Sequence, residues 1–145
     1  MMTDADFTDL RTALREFLRK EVVPVEAQID ADDEIPERLI SQAKAMGLYG
    51  YAIPEEYGGL GLSVPQQVAV AVELGYTCPA FRSLFGTNNG IAGQVLVGFG
   101  TDQQKTRWLE DIAAGEVVAS FALTEPGAGS NQRAFWSSVP NPTTT

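Results

Sequence analysis

The 145-residue sequence contains no histidine and one cysteine, Cys78. Without an imidazole, Ser-His-Asp and Cys-His catalysis are excluded, together with nearly all zinc chemistry. One cysteine cannot close an intrachain disulfide. Its apolar setting, Tyr76-Thr77-Cys78-Pro79-Ala80, predicts a small buried thiol in a reducing compartment rather than a nucleophile. Positive charge is also scarce. Ten Lys and Arg against 19 Asp and Glu leave a net charge of −9, which would repel a phosphate backbone and argues against a nucleic-acid partner. No apolar run approaches membrane-spanning length, and the opening Met1-Met2-Thr3-Asp4-Ala5-Asp6 has neither a basic n-region nor an Arg-rich transit pattern, so the expected compartment is the cytoplasm. The acidic run from Glu26 to Glu34 lacks the glycine and closing glutamate of a calcium loop, and no metal is expected there. Carboxylates, hydroxyls or a bound cofactor are the chemistry that remains.

What is present is an ordinary globular mixture, 44% hydrophobic and 20% charged, long enough to bury a core. Phe7, Leu10, Leu14 and Phe17 recur at helical spacing among charged residues, predicting an amphipathic helix limited by Pro24, with the stretch 26–34 as a linker or short frayed helix. A second helix is expected from Pro36, with Leu39, Ile40, Ala43 and Met46 on one face and Gly47 at its end. The glycine- and tyrosine-rich residues 48–62 read as an ordered loop. Ser63 and Gln66 form a capping box that opens a helix Gln67 to Leu74, apolar all round and therefore expected to be the most buried element of a bundle. From Leu84 to Phe99 a further helix carries glycines at 86, 90 and 93, which implies close approach of a second helix or of a ligand such as an acyl chain. Thr101 and Gln104 make a second capping box, and the helix it opens ends at Gly115.

The texture then changes. Val117 to Leu123 is an apolar run that reads as a short strand lacking partners, and it leads into Thr124-Glu125-Pro126-Gly127-Ala128-Gly129-Ser130-Asn131. Glycines without Cβ atoms let main-chain N–H groups converge on an anion, while Thr124 and Ser130 add hydroxyls. Such a loop suits a phosphate or a flavin edge; a tight connection that simply needs small residues is the plainer alternative.

The segment Phe121 to Asn131 resembles the signature of the acyl-CoA dehydrogenase family, with Asn131 where the family has Asp. Further segments resemble the family's amino-terminal helical domain in the same order: Phe17 to Pro24, Ile35-Pro36, Gly47-Leu48, Ile53 to Leu62, and Phe99 to Lys105. The resemblance covers residues from about 7 to 131. It implies a mainly α fold, the amino-terminal helical bundle of such an enzyme, with one or few short strands at the end. The implied organisation is a helical domain over residues 1–115, the first strand and signature loop of a β domain over 116–131, and an unmatched, loosely held tail over 132–145.

Members of the family are flavoproteins that remove a proton and a hydride from the α and β carbons of an acyl-CoA thioester, with FAD as hydride acceptor. By that resemblance the cofactor-binding positions are Phe121, Leu123, Thr124, Gly129 and Ser130, and Ser130 also meets the acyl-CoA. An electron-transfer acceptor and homo-oligomerisation are implied as well. No catalytic residue is assigned, because the family's base is a Glu in its carboxy-terminal bundle; Glu125 reads as a structural hydrogen-bonding group at the turn. The residues after Asn131 do not resemble the family's following strands, so the expectation is a truncated or frame-disrupted member, or a fragment, acting in fatty acid metabolism. The alternatives are a non-catalytic helical module and a part of a flavin monooxygenase of the same fold.

Overall fold

The computed structural model describes residues 2–122, and all structural statements below concern those residues. The chain is built of seven α-helices: α1 (Asp4–Phe17), α2 (Glu26–Asp32), α3 (Glu37–Ala45), α4 (Val64–Leu74), α5 (Pro79–Phe85), α6 (Gln94–Phe99) and α7 (Asp102–Ala114). No strand occurs among the described residues, so the fold is mainly α as the sequence implies. Residues 117–122 form neither helix nor strand, so the short strand expected over Val117 to Leu123 is not found in its described part.

The capping boxes explain where three helices start. Thr3 receives the Asp6 amide at 3.1 Å while Asp6 answers the Thr3 amide, and Ser63 with Gln66 and Thr101 with Gln104 repeat the arrangement for α4 and α7. Proline does not stop the first helical path. A wide π-helical segment, Leu18–Val22, and a 3-10 turn, Val23–Val25, carry the chain through Pro24 into α2, because a proline at the first turn of a new helix gives up an N–H that would be unpaired anyway. The stretch 26–34 is therefore mostly helix, ended by Asp33 in the left-handed region at φ 52°. The second helix expected from Pro36 is α3, for which Pro36 is the cap.

The larger core lies between α1, α3, α4, α5 and the loop that follows α3. Phe17, Phe81, Phe85 and Tyr49 form a chain of ring contacts through it, with centroids 6.1, 5.1 and 5.1 Å apart and edge-to-face geometry at the last two. A smaller cluster joins Ile53 to Leu109, Ile112 and Ala113 of α7. Cys78 is buried, and its amide donates to Glu26 Oε1 at 2.6 Å, tying α2 to the start of α5.

Helix α4 is not the most buried element. Val70 is 1% exposed and Leu74 is buried, but Val68 and Val72 are 57% and 55% exposed, and with Val64 they form an apolar stripe at four-residue spacing. What packs α4 against α1 is instead the residue that looked polar. Glu73 is buried and accepts from Arg11 Nε and Arg15 Nε, each at 3.0 Å, and from Arg15 Nη2. The Arg15 guanidinium foremost, with Arg11, outweighs the burial of the carboxylate and lowers its pKa from the ordinary 4.5 to about 2.

A carboxylate with a depressed native pKa contributes stability that is present above its unfolded pKa and lost as pH falls through the native one. Glu73→Gln should therefore cost about 1–2 kcal/mol at neutral pH, a value kept modest because both arginines reach solvent. The gap between variant and wild type should close between pH 4.5 and about 2. Urea unfolding followed across that range checks it; a gap independent of pH would show that the triad contributes packing alone.

Candidate functional site

The site suggested by sequence lies where the chain leaves the helical body. After α7, Gly115 takes φ 74°, and an added Cβ there would meet the Tyr49 ring at 2.7 Å. The amides of Glu116 and Val117 donate back to Asp111 O, and Lys44 pairs with Glu116 at 3.2 Å. The next described tie is the Ala119 amide, which donates to Asn88 Oδ1 at 2.8 Å. Phe121 then stands 48% exposed. Of the sequence-assigned positions only Phe121 falls among the described residues; Leu123, Thr124, Gly129 and Ser130 lie outside them.

Asn88 and Asn89 were visible in sequence only as two members of a predicted helix. Structure gives them a larger part. The helix expected over 84–99 is α5 continued by a π-helical segment, Gly86–Gly93, and then α6, and both amides sit in the widened segment with no exposure. Asn88 Nδ2 donates to the carbonyls of Tyr49 at 2.8 Å and Ile112 at 3.3 Å. Asn89 Nδ2 donates to Leu48 and Phe85 carbonyls at 2.9 and 3.1 Å, and its Oδ1 accepts from the Ala52 amide at 3.1 Å. The signal available beforehand was a pair of adjacent amides among small apolar residues, a place where a polar side chain must find main-chain partners.

The glycines of this segment divide in two. A Cβ at Gly93 would lie 2.8 Å from Asn88 O of the same segment and 3.6 Å from the Ile53 side chain of the glycine loop, so what approaches it is neither a second helix nor a ligand. Gly86 and Gly90 face open space, with nothing within 4 Å. Gly86 borders a cleft of about 220 Å³ between α4 and α5, lined among others by Tyr51, Ala71, Ser83, Thr87 and Ile91. Burial pushes the Tyr51 phenol up, so it stays neutral and able to donate. A second cleft, about 510 Å³, borders Tyr49 and Val118 but is rimmed by Asp30, Asp33 and Glu34, which disfavours an anionic group there. No cluster of metal-ligating side chains occurs among the described residues.

The family model described as acyl-CoA dehydrogenase, N-terminal domain, matches residues 4–116. The chain belongs to the acyl-CoA dehydrogenase family. Among its relatives, the short-chain specific acyl-CoA dehydrogenase of Sus scrofa mitochondria is 33% identical over 122 residues, 84% of this chain and 30% of that protein. A probable acyl-CoA dehydrogenase of Bacillus subtilis is 36% identical over 136 residues, 90% of this chain and 23% of its own length. In structure, the acyl-CoA dehydrogenase of Geobacillus kaustophilus superposes with a TM-score of 0.76 at 29% identity, over 90% of this chain and 34% of that one. The Bacillus anthracis acyl-CoA dehydrogenase complexed with FAD gives 0.75 at 32% identity, over 89% and 22%. The chain thus spans about a third or less of the relatives it matches.

Loss of the Asn89 amide should be felt throughout this chain's helical domain. Asn89→Leu, similar in volume, leaves the Ala52 amide and the Leu48 and Phe85 carbonyls without their side-chain partner, and should lower stability by about 3 kcal/mol. Urea unfolding measures it; a loss under about 1 kcal/mol would mean the loop satisfies these groups in another way.

Proposed function

We infer that this chain supplies the amino-terminal helical part and the flavin loop of an FAD-dependent acyl-CoA dehydrogenase. One observation carries the reading: the matched helical domain ends at residue 116, and the signature-like residues 121–131 follow it directly. Of the proposed cofactor positions, Phe121 is the one among the described residues. Phe121 turns an apolar ring to solvent, and the chain reaches it from a fixed point at Ala119. In this reading Phe121 and Leu123 cover apolar flavin surface, Thr124 offers a hydroxyl to the flavin edge, and Gly129 with Ser130 present main-chain N–H groups to the pyrophosphate, Ser130 also meeting the thioester. FAD, when bound, accepts the hydride. What these residues do is orient the ring, exclude water from one face and hold negative charge with neutral donors. The open cleft at Gly86 and Ile91 offers small-residue and apolar surface to an acyl chain.

Residues 116–131 are in this proposal the start of a β domain; an electron-transfer acceptor and homo-oligomeric assembly are what the family resemblance implies, and the proposed compartment is the cytoplasm. Among the described residues no helix is long and apolar enough to cross a membrane. The competing reading is a helical module without catalysis.

Affinity separates the two. A ligand held on one side gains only the few contacts from Thr124, Gly129 and Ser130, each about 1 kcal/mol net, which corresponds to roughly millimolar binding. The 145-residue chain should purify colourless, fail to reduce an electron acceptor with any acyl-CoA, and show only weak FAD heats by calorimetry. Those weak heats should fall further in Thr124→Val, whereas heats that are absent altogether, or indifferent to Thr124, favour the helical module. Micromolar FAD binding abolished by Thr124→Val would instead make the chain a self-sufficient flavin site.

A further inference from the structure

We propose that Asn88 is a positioning residue for the loop that begins at Phe121. The inference rests on the flavin-loop reading above and adds to it the residue that sets the loop's point of departure. The side-chain amide of Asn88 joins three parts of the molecule at once: the Tyr49 carbonyl of the glycine loop, the Ile112 carbonyl near the end of α7, and the Ala119 amide of the departing chain. Its position is itself fixed. Asn88 is completely buried, it lies in the π-helical segment that turns consecutive side chains into the core, and Gly93 packs against its carbonyl where any Cβ would be 2.8 Å away.

The geometry is that of a register pin. Beyond Val117 the described chain has left the Asp111 carbonyl, and the Ala119–Asn88 bond is the hydrogen bond that ties it to the helical body. Val117 and Ala119 rest on the cluster of Ile53, Leu109 and Ile112, while Val118 and Phe121 are exposed. A slip along the chain would bring a different amide to Asn88 and change which residue follows at the point where the chain departs. Apolar contact alone tolerates such a slip between Val117 and Ala119; a single N–H facing a single buried Oδ1 does not.

The test is NMR of the isotope-labelled 145-residue chain, reading amide exchange and chemical shifts. In wild type the Ala119 amide should exchange roughly tenfold or more slowly than the amides of Ser120 and Phe121. Ala119→Pro removes that N–H while leaving both Asn88 donors their carbonyls, so Leu109 and Ile112 should keep wild-type protection. Asn88→Ser removes the pin from the other side. Both should shift resonances of residues 124–130, beyond the immediate neighbourhood of either change, and the double variant should add nothing to the larger of the two. If Asn88→Ser does not fold, Ala119→Pro alone decides. A purely structural asparagine would perturb residues 48–53 and 109–115 and leave 124–130 in place under Ala119→Pro. That result, or an Ala119 amide exchanging as fast as that of Phe121, overturns the proposal. Millimolar FAD is then added. Shifts in 124–130 that weaken roughly tenfold in affinity in both variants are the expected outcome, each bond being worth about that factor or less; affinity unchanged by either variant overturns the positioning role. A wild-type chain that shows no FAD-dependent shift sinks the flavin reading, and the exchange data still judge the pin.

Discussion

Residues 47–62 run through the interior without the ladder of a sheet and with only one 3-10 turn, Glu55–Tyr57, yet Leu48, Tyr49, Tyr51, Ala52 and Ile53 are buried. Buried main-chain polar groups have to be paired, and here no regular element is available to do it. Part of the solution is internal: the Leu60, Gly61 and Leu62 amides return to the Gly50, Ile53 and Tyr51 carbonyls. The rest is met by amide side chains from the neighbouring helical segment, Asn88 on Tyr49, Asn89 on Leu48 and Ala52, and Gln94 on the Ala52 carbonyl. Much else is a consequence of this pairing. The segment 86–93 must widen to aim two adjacent amides inward, Gly93 must lack a Cβ, and Gly59 must as well, since its Cβ would fall 2.0 Å from the Ile53 carbonyl.

The parts of the fold that were legible in sequence are those governed by neighbours in the chain. The capping boxes at Ser63 and Thr101, the stop at Gly47 with φ 72°, and the loop character of 48–62 all depend on residues within a few positions of one another. The family resemblance was legible for the same reason, resting on short contiguous segments. What stayed hidden depends on partners far away in sequence. Glu73 belongs to a helix that reads as apolar all round, its partners Arg11 and Arg15 lying 62 and 58 residues upstream, and Asn89 finds partners some 40 residues upstream. Of the candidate site, only the stretch up to Phe121 is described, and its one decisive contact, Ala119 to Asn88, spans 31 residues.

Helix α4 shows how periodicity misleads when composition is uniform. With valines and alanines on every side, the sequence offers no polar face to mark the solvent, so burial all round is the natural expectation. The structure instead selects a face through one ion-paired carboxylate: once Glu73 meets the arginines of α1, Val70 and Leu74 turn inward with it and Val64, Val68 and Val72 are left outside. An ion-paired carboxylate lies on the same face of α4 as the core residues Val70 and Leu74, a side that apolar content alone does not mark.

The same logic bears on how an anionic cofactor would be held by a chain with net charge −9. Arg11, Arg15, Lys20, Arg38 and Lys44, half of the ten cationic residues, are engaged with carboxylates, and the cleft beside Val118 is rimmed by acids. The net negative charge works against long-range attraction of a pyrophosphate to this chain. Under the proposed function, recognition would fall to neutral donors, the main-chain N–H groups and hydroxyls of residues 124–130, and such donors depend on direction and separation far more than a mobile ammonium does. A site built from dipoles tolerates displacement poorly. Under the proposed function, the Ala119–Asn88 hydrogen bond, which ties the departing chain to the helical body, would then bear on binding as directly as the loop's own donors.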